Sequence, residues 1–136
     1  LGKDAAVRLS ARKAVSVLAP HGGEFARMFD NGDAGKIAAT RAASQGSGAV
    51  LIHKGRDTVI ANGQRVTIAN SGTSWLSTAG SGDVLAGLTG ARLAAKGIDD
   101  VITAVWLHGR ASELAGPAFA ADDLVRHVPT ALGECL

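Results

Sequence analysis

The chain of 136 residues has no tyrosine, only three phenylalanines and two tryptophans, so its interior must be built mainly from Ala, Val, Leu and Ile. It has a single cysteine, Cys135, which cannot form an internal disulfide and fits a reducing compartment, here read as the cytoplasm. No run of about 18 apolar residues and no signal peptide is visible, so neither membrane insertion nor export is expected. Charge of one sign is not concentrated either. The formal net charge is +2 with Lys and Arg spread along the chain, which argues against nucleic acid as a partner.

Hydrophobic residues make up 46% and charged residues 19%, a globular composition. Glycine is abundant, with 18 residues, and it serves where backbone turns with positive φ or approaches a ligand closely. The length predicts one domain. The chain opens with Leu rather than Met, and Leu1 to Lys13 reads as a helix remnant with four basic residues, so part of a domain is expected upstream.

Ala14 to Ala19 is an apolar, β-branched run ending at Pro20, a buried strand entering a loop. Glu24 to Asp30 predicts one or two helical turns. Asp33 is placed to cap the next helix, where Ile37, Ala38 and Ala42 recur at helical spacing up to a breaker at Ser44 to Gly48. Ala49 to Ile52 is a second buried strand. The short runs Thr58 to Ala61 and Arg65 to Ala69, separated by Asn62, Gly63 and Gln64, predict a hairpin.

Val84 to Ala95 carries no charge except Arg92, which predicts a helix covered on most sides, with Gly87 and Gly90 on a face open to close approach. Asp99 and Asp100 favour the start of a helix whose apolar stripe is Ile98, Val101, Ile102 and Val105, continuing to about Leu114. A final helix over Ala121 to Leu132 is expected to be interrupted at Pro129. Strands alternating with helices imply an α/β layered fold with a mostly parallel sheet.

Three segments can carry chemistry. In Ala79 to Asp83, "AGSGD", a glycine-rich turn enters a helix, and such a start offers amides and a positive dipole end to a phosphate. Asp83, in the first turn, could take a proton from a hydroxyl attacking a phosphoryl group, or simply cap the helix. Lys54 to Thr58, "KGRDT", places a cation and an approachable backbone past a buried strand, at the sheet edge where open α/β folds bind ligands, or forms a solvated turn. In Pro20 to Arg27, "PHGGEFAR", the loop His21, Gly22 and Gly23 could contact a ligand while Glu24 caps a helix or pairs with Arg27. His53, His108 and His127 show no metal-ligand spacing with each other or with Cys135, so no metal site is expected.

Together "LAPHGGEFARMF", "HKGRDTVIANG", "NSGTSWLSTAGSGDVLAGLTG" and "AVWLHGRASELAG", in this order, resemble the ADP- or ATP-dependent NAD(P)H-hydrate dehydratases, a branch of the ribokinase-like superfamily. The resemblance covers the C-terminal half or so of the family's domain. It implies a ribokinase-like three-layer α/β/α fold of which residues 1–136 form a single, partial domain. It also implies a repair reaction: a nucleotide phosphorylates the ring hydroxyl of NAD(P)H hydrate, and phosphate elimination returns NAD(P)H.

By carry-over Asp83 would be the catalytic base and a substrate contact. Lys54, Gly55, Arg56, Asp57, Thr58, Thr78, Ala79, Gly80, Ser81 and Gly82 would bind the nucleotide, and His21, Gly22, Gly23 and Glu24 the hydrate. ADP or ATP, with ADP favoured, would be the phosphoryl donor and Mg2+ its counter-ion, although no ligand set for the metal is visible. A homo-oligomer and an upstream epimerase domain are compatible with the resemblance. Ala79 stands where many members have glycine, a replacement that fails if the position needs positive φ. Two alternatives stay open: a ribokinase-like kinase for a sugar or vitamin precursor, and an inactive fragment that only binds nucleotide.

Overall fold

A computed structural model of the chain describes residues 2–30 and 32–136. It divides into two compact units at Asn70 and Ser71.

The first unit contains α1 (Ala5–Ser10), β1 (Val17–Leu18), α2 (Gly22–Met28), α3 (Lys36–Ser47), β2 (Val50–His53), β3 (Thr58–Asn62) and β4 (Arg65–Ala69). Its sheet has the order β1-β2-β3-β4. Among the described residues the sheet is not mostly parallel as expected: the parallel pair is β1 with β2, where Val17 faces Val50. The other two pairs are antiparallel, with Ile52 opposite Ile60 and Asn62 opposite Arg65. The latter register leaves Gly63 and Gln64 as a two-residue turn, with Gly63 at φ +59°, so the Asn-Gly signal marks the hairpin.

All four residues of β2 are buried. They contribute to a core in which Phe25, Phe29, Leu9 and Leu51 meet Ala5, Ala39, Ala43 and Ala49. Burying each large apolar side chain contributes roughly 1.5–3 kcal/mol.

Several expectations for this unit are corrected. The helix within the expected remnant spans only Ala5–Ser10, and Leu1 lies outside the described residues. The first strand shrinks from Ala14–Ala19 to Val17–Leu18, β2 being its partner among the described residues. Asp33 does not cap α3; Gly35, extended at φ −63° and ψ 159°, takes that position and lends no side chain.

The inward face of α3 is Ala39, Thr40, Ala43, Ser44 and Ser47, while Ile37, Ala38 and Ala42 are exposed. Nor do the serines break the helix, because their hydroxyls bond inward. Ser44 Oγ donates to Ala49 O at 2.7 Å and accepts from Gly63 N at 2.9 Å, and Ser47 Oγ donates to Ala43 O at 2.6 Å. The helix ends only at Gly48, left-handed at φ +67°.

The second unit contains a 3-10 turn (Ser74–Ser77), α4 (Ser81–Lys96), a second 3-10 turn (Ile98–Asp100), α5 (Val101–Ala115) and α6 (Ala121–Gly133). Ala111, Phe119 and Leu124 form its core with Leu76, Val84, Ala115 and Val128 against them. Asp100 sits ahead of α5, pairs with Arg92 and accepts from Thr103 Oγ1 at 2.8 Å. α6 runs through Pro129 rather than stopping there; the proline removes one backbone donor, and Val125, whose carbonyl loses that partner, is exposed.

Helix α4 is not covered on most sides. It buries Ser81, Leu85 and Thr89, while Ala86, Gly87, Gly90, Ala91 and Ala94 are exposed. Its packing on α5 and α6 uses one side alone. No helix among the described residues is long and apolar enough to cross a membrane.

The tightest backbone approach in this unit is at Gly109, where an added Cβ would lie 2.5 Å from Ser71 Oγ and 2.8 Å from Ser71 C and O. Replacing Gly109 with alanine should therefore destabilise the protein by about 2 kcal/mol through overpacking against backbone. Urea denaturation should show a lower midpoint; an unchanged midpoint would mean that the loop moves aside freely.

Candidate functional site

The first group of candidate residues lies in unit 1, where the loops after β1 and β2 meet. Lys54 N donates to Pro20 O at 2.8 Å, which joins the end of β2 to the start of "PHGGE". His21 is the N-cap of α2. Its Nδ1 accepts from Gly23 N at 3.1 Å and Glu24 N at 3.3 Å, and Glu24 Oε2 accepts from His21 N at 2.8 Å, a reciprocal capping box. Because Nδ1 accepts two bonds, the proton of neutral His21 is on Nε2, which faces Glu24 Oε1 at 3.5 Å.

The bond from the His21 amide, helped by the charges of Lys54 and Arg27, holds the Glu24 carboxyl below its ordinary range. Of the two roles considered for Glu24, the cap is the one its geometry displays. His21 is exposed. Lys54 and Thr58 are half-buried, and Gly55, Arg56 and Asp57 are exposed.

Two residues behind these loops carry no local sequence signal. His53, 6% exposed, stacks on Phe25 with ring centroids 4.1 Å apart and planes 6° from parallel. Thr40 Oγ1 donates its one proton to Lys36 O at 2.7 Å, so its 2.9 Å contact with His53 must be a bond from Nδ1–H. The bare Nε2 of His53 then lies toward Gly22, where an added Cβ would stand 4.0 Å from it. Burial, with the nearby Lys36 charge, pushes the His53 pKa from 6.5 down to about 4, so the ring is neutral. Lys36 Nζ donates to Lys54 O at 3.2 Å and Asp57 O at 2.5 Å.

The second group lies in unit 2. Gly80 caps α4 at φ +85°, ψ −14°, in the left-handed region, with an added Cβ only 3.0 Å from Ala121 Cβ. Ala79 does not have positive φ; the residue whose backbone demands glycine is Gly80. The alanine in "TAGSGD" is therefore compatible with the loop. No side chain caps α4.

Ser81 N donates to Thr78 O, and Asp83 N and Val84 N to Gly80 O. The Ser81 hydroxyl points inward and donates to Leu76 O at 2.5 Å, so the side chain is turned away from any outside anion. Asp83 is exposed in the first turn, next to the positive end of the dipole.

What fixes this loop is α5. Buried His108 donates from Nε2 to Ser81 O at 2.8 Å, Ser112 Oγ accepts from Thr73 N at 3.1 Å, and Glu113 Oε1 accepts from Gly72 N at 3.1 Å. With Gly109 against Ser71, the run "HGRASE" in α5 holds residues 71–81 along one helix face. Metal-ligand spacing is the wrong signal for His108; its i, i+1, i+4, i+5 relation to Gly109, Ser112 and Glu113 is the informative one.

The fold matches solved ribokinase-like proteins. A ribokinase-like superfamily protein of Enterococcus faecalis, 23% identical, superposes with a TM-score of 0.76 over 87% of this chain and 44% of its own. The ADP/ATP-dependent NAD(P)H-hydrate dehydratase of Bacillus subtilis, co-crystallised with ATP/Mg2+, gives 0.81 at 25% identity, covering 93% of this chain and 52% of its own. Residues 2–132 match the NAD(P)H-hydrate dehydratase family, and the chain belongs to it.

Among curated relatives, the bifunctional NAD(P)H-hydrate repair enzyme Nnr of Mycobacterium leprae is 41% identical over 133 residues, which is 89% of this chain and 28% of that protein. Its counterpart in Synechocystis is 42% identical over 113 residues, 79% of this chain and 22% of that protein. The chain thus spans about a quarter of the curated relatives and about half of the solved structures.

The depressed pKa of His53 has a signed consequence. Between 6.5 and about 4 the unfolded chain takes up a proton that folded His53 refuses, so stability falls as pH falls through this window and is unaffected by this group above it. Urea denaturation at neutral and acid pH should show a shallower loss for His53→Asn, which retains a donor for Thr40. Equal slopes for both proteins would assign the acid sensitivity to other groups.

Proposed function

We propose that this chain carries out the nucleotide-dependent dehydration of NAD(P)H hydrate, with ADP as the favoured donor and ATP as the other. The observation that carries the reading is the family match running through residues 2–132, which includes both the strand-end loops and the start of α4. The curated relatives are named bifunctional, and this chain would supply one of the two activities. Residues 1–136 would then form a single, partial domain of that enzyme, in the reducing cytoplasm that a single cysteine suits.

In this reading Asp83 accepts the proton of the ring hydroxyl as its oxygen attacks the terminal phosphorus of the donor. The uncapped start of α4, with Gly80, Ser81 and Gly82, stabilises the transferring phosphoryl oxygens through amides and dipole. Lys54, Gly55, Arg56, Asp57 and Thr58, with Thr78 and Ala79, line the nucleotide. His21, Gly22, Gly23 and Glu24 contact the hydrate, with His21 Nε2–H as donor. Phosphorylation turns hydroxide, a poor leaving group, into phosphate, and the ring nitrogen lone pair expels it while a ring proton is lost.

Among the described residues no three His, Cys, Asp or Glu side chains gather to hold a metal. Mg2+ would travel on the nucleotide phosphates and supply charge neutralisation there.

Incubating the protein with NADH hydrate and ADP or ATP should restore the absorbance of the reduced nicotinamide ring. Asp83→Asn should lower this turnover by about a hundredfold or more while nucleotide affinity stays within about threefold. A stable phosphorylated product in place of restored NADH would identify a kinase instead, and unchanged turnover in the variant would remove Asp83 from the role of base.

A further inference from the structure

The ammonium of Lys36 is spent in an unusual way. It sits at the first turn of α3, half-buried, and donates to two main-chain carbonyls of one short turn, Lys54 O at 3.2 Å and Asp57 O at 2.5 Å. Burial lowers its pKa, an effect that the Asp57 charge partly offsets. The Lys36 carbonyl is engaged as well, through Thr40 Oγ1 to His53, the last residue of β2. One residue therefore grips both the strand end and the turn that follows it.

The direction of that grip matters. In a trans peptide the carbonyl and the next amide point to opposite sides, and no cis peptide is present among the described residues. Drawing Lys54 O toward Lys36 turns Gly55 N–H away from it, and exposed Gly55 and Arg56 are left on the outer side of the turn. Gly55 also makes room for the ammonium, since a Cβ there would lie 2.6 Å from Lys36 Nζ.

We propose that Lys36 is a positioning residue for nucleotide recognition: by holding Lys54 O and Asp57 O it fixes the 54–57 turn with Gly55 N–H and Arg56 directed outward to a nucleoside di- or triphosphate. This inference rests on the reading that Lys54 to Thr58 line the nucleotide. Lys36 itself touches no ligand in this scheme.

The test compares the unmodified protein with Lys36→Met, Lys36→Gln and Lys36→Arg, by calorimetric titration with ADP and with ATP and by steady-state kinetics in each substrate. Charge-assisted bonds of this kind support a loss of about tenfold or more in nucleotide affinity, with a matching rise in nucleotide KM, for Lys36→Met, while kcat at saturating nucleotide and the KM for hydrate stay within about twofold. Lys36→Arg, whose guanidinium can serve both carbonyls, should recover most of the affinity. Lys36→Gln, whose shorter neutral amide cannot serve both carbonyls, should lose nucleotide affinity in the same direction and stands in should Lys36→Met fail to fold.

Wild-type affinity in Lys36→Met, or a fall in kcat with a comparable rise in both KM values that arginine does not rescue, would overturn the role given to Lys36. Absence of ADP and ATP binding by the unmodified protein would instead overturn the nucleotide reading on which it rests.

Discussion

The loop before α4 depends on a missing side chain. Gly109 lets the backbone of Ser71 lie directly on α5, and with that distance fixed, Ser112, Glu113 and His108 fall opposite Thr73 N, Gly72 N and Ser81 O. A Cβ at this point would lift the loop by more than a hydrogen bond tolerates, and the three polar contacts would be lost together. The left-handed Gly80 and the first turn bearing Asp83 come at the end of this fastened stretch. Their orientation is thus set by a helix that contributes no residue to the proposed chemistry.

Unit 1 solves the equivalent problem with side chains. His21 and Glu24 close a capping box, Lys54 N reaches Pro20 O, and Lys36 draws in the turn after β2. Neutral His53 lies beneath, flat against Phe25 and bonded to Thr40. Keeping that imidazole uncharged avoids setting a second buried cation beside Lys36, and the shift of its pKa to about 4 expresses the same fact.

Legibility in the sequence followed the range of the interactions involved. The Gly63 turn, the α5 stripe and the glycine-rich start of α4 are local, fixed by φ, spacing or dipole, and they stand where the residues predict. Asp33 and the serines of α3 misled because cap and breaker preferences assume that a side chain bonds locally, whereas Gly35 takes the cap position and Ser44 bonds across to Ala49 and Gly63. The exposed face of α4 misled for another reason: an apolar face states that cover is wanted and not what supplies it. In the candidate site, the segments could be found by motif, but Lys36 and His53 could not. Their partners lie 21 and 13 residues away, and only the fold brings them together.

The inward turn of the Ser81 hydroxyl has a consequence for acidity. With this side chain committed to Leu76 O and no other side chain capping α4, an anion at this helix start meets peptide amides, which neither gain nor lose protons in the physiological range. The hold on such an anion from this loop is then indifferent to pH.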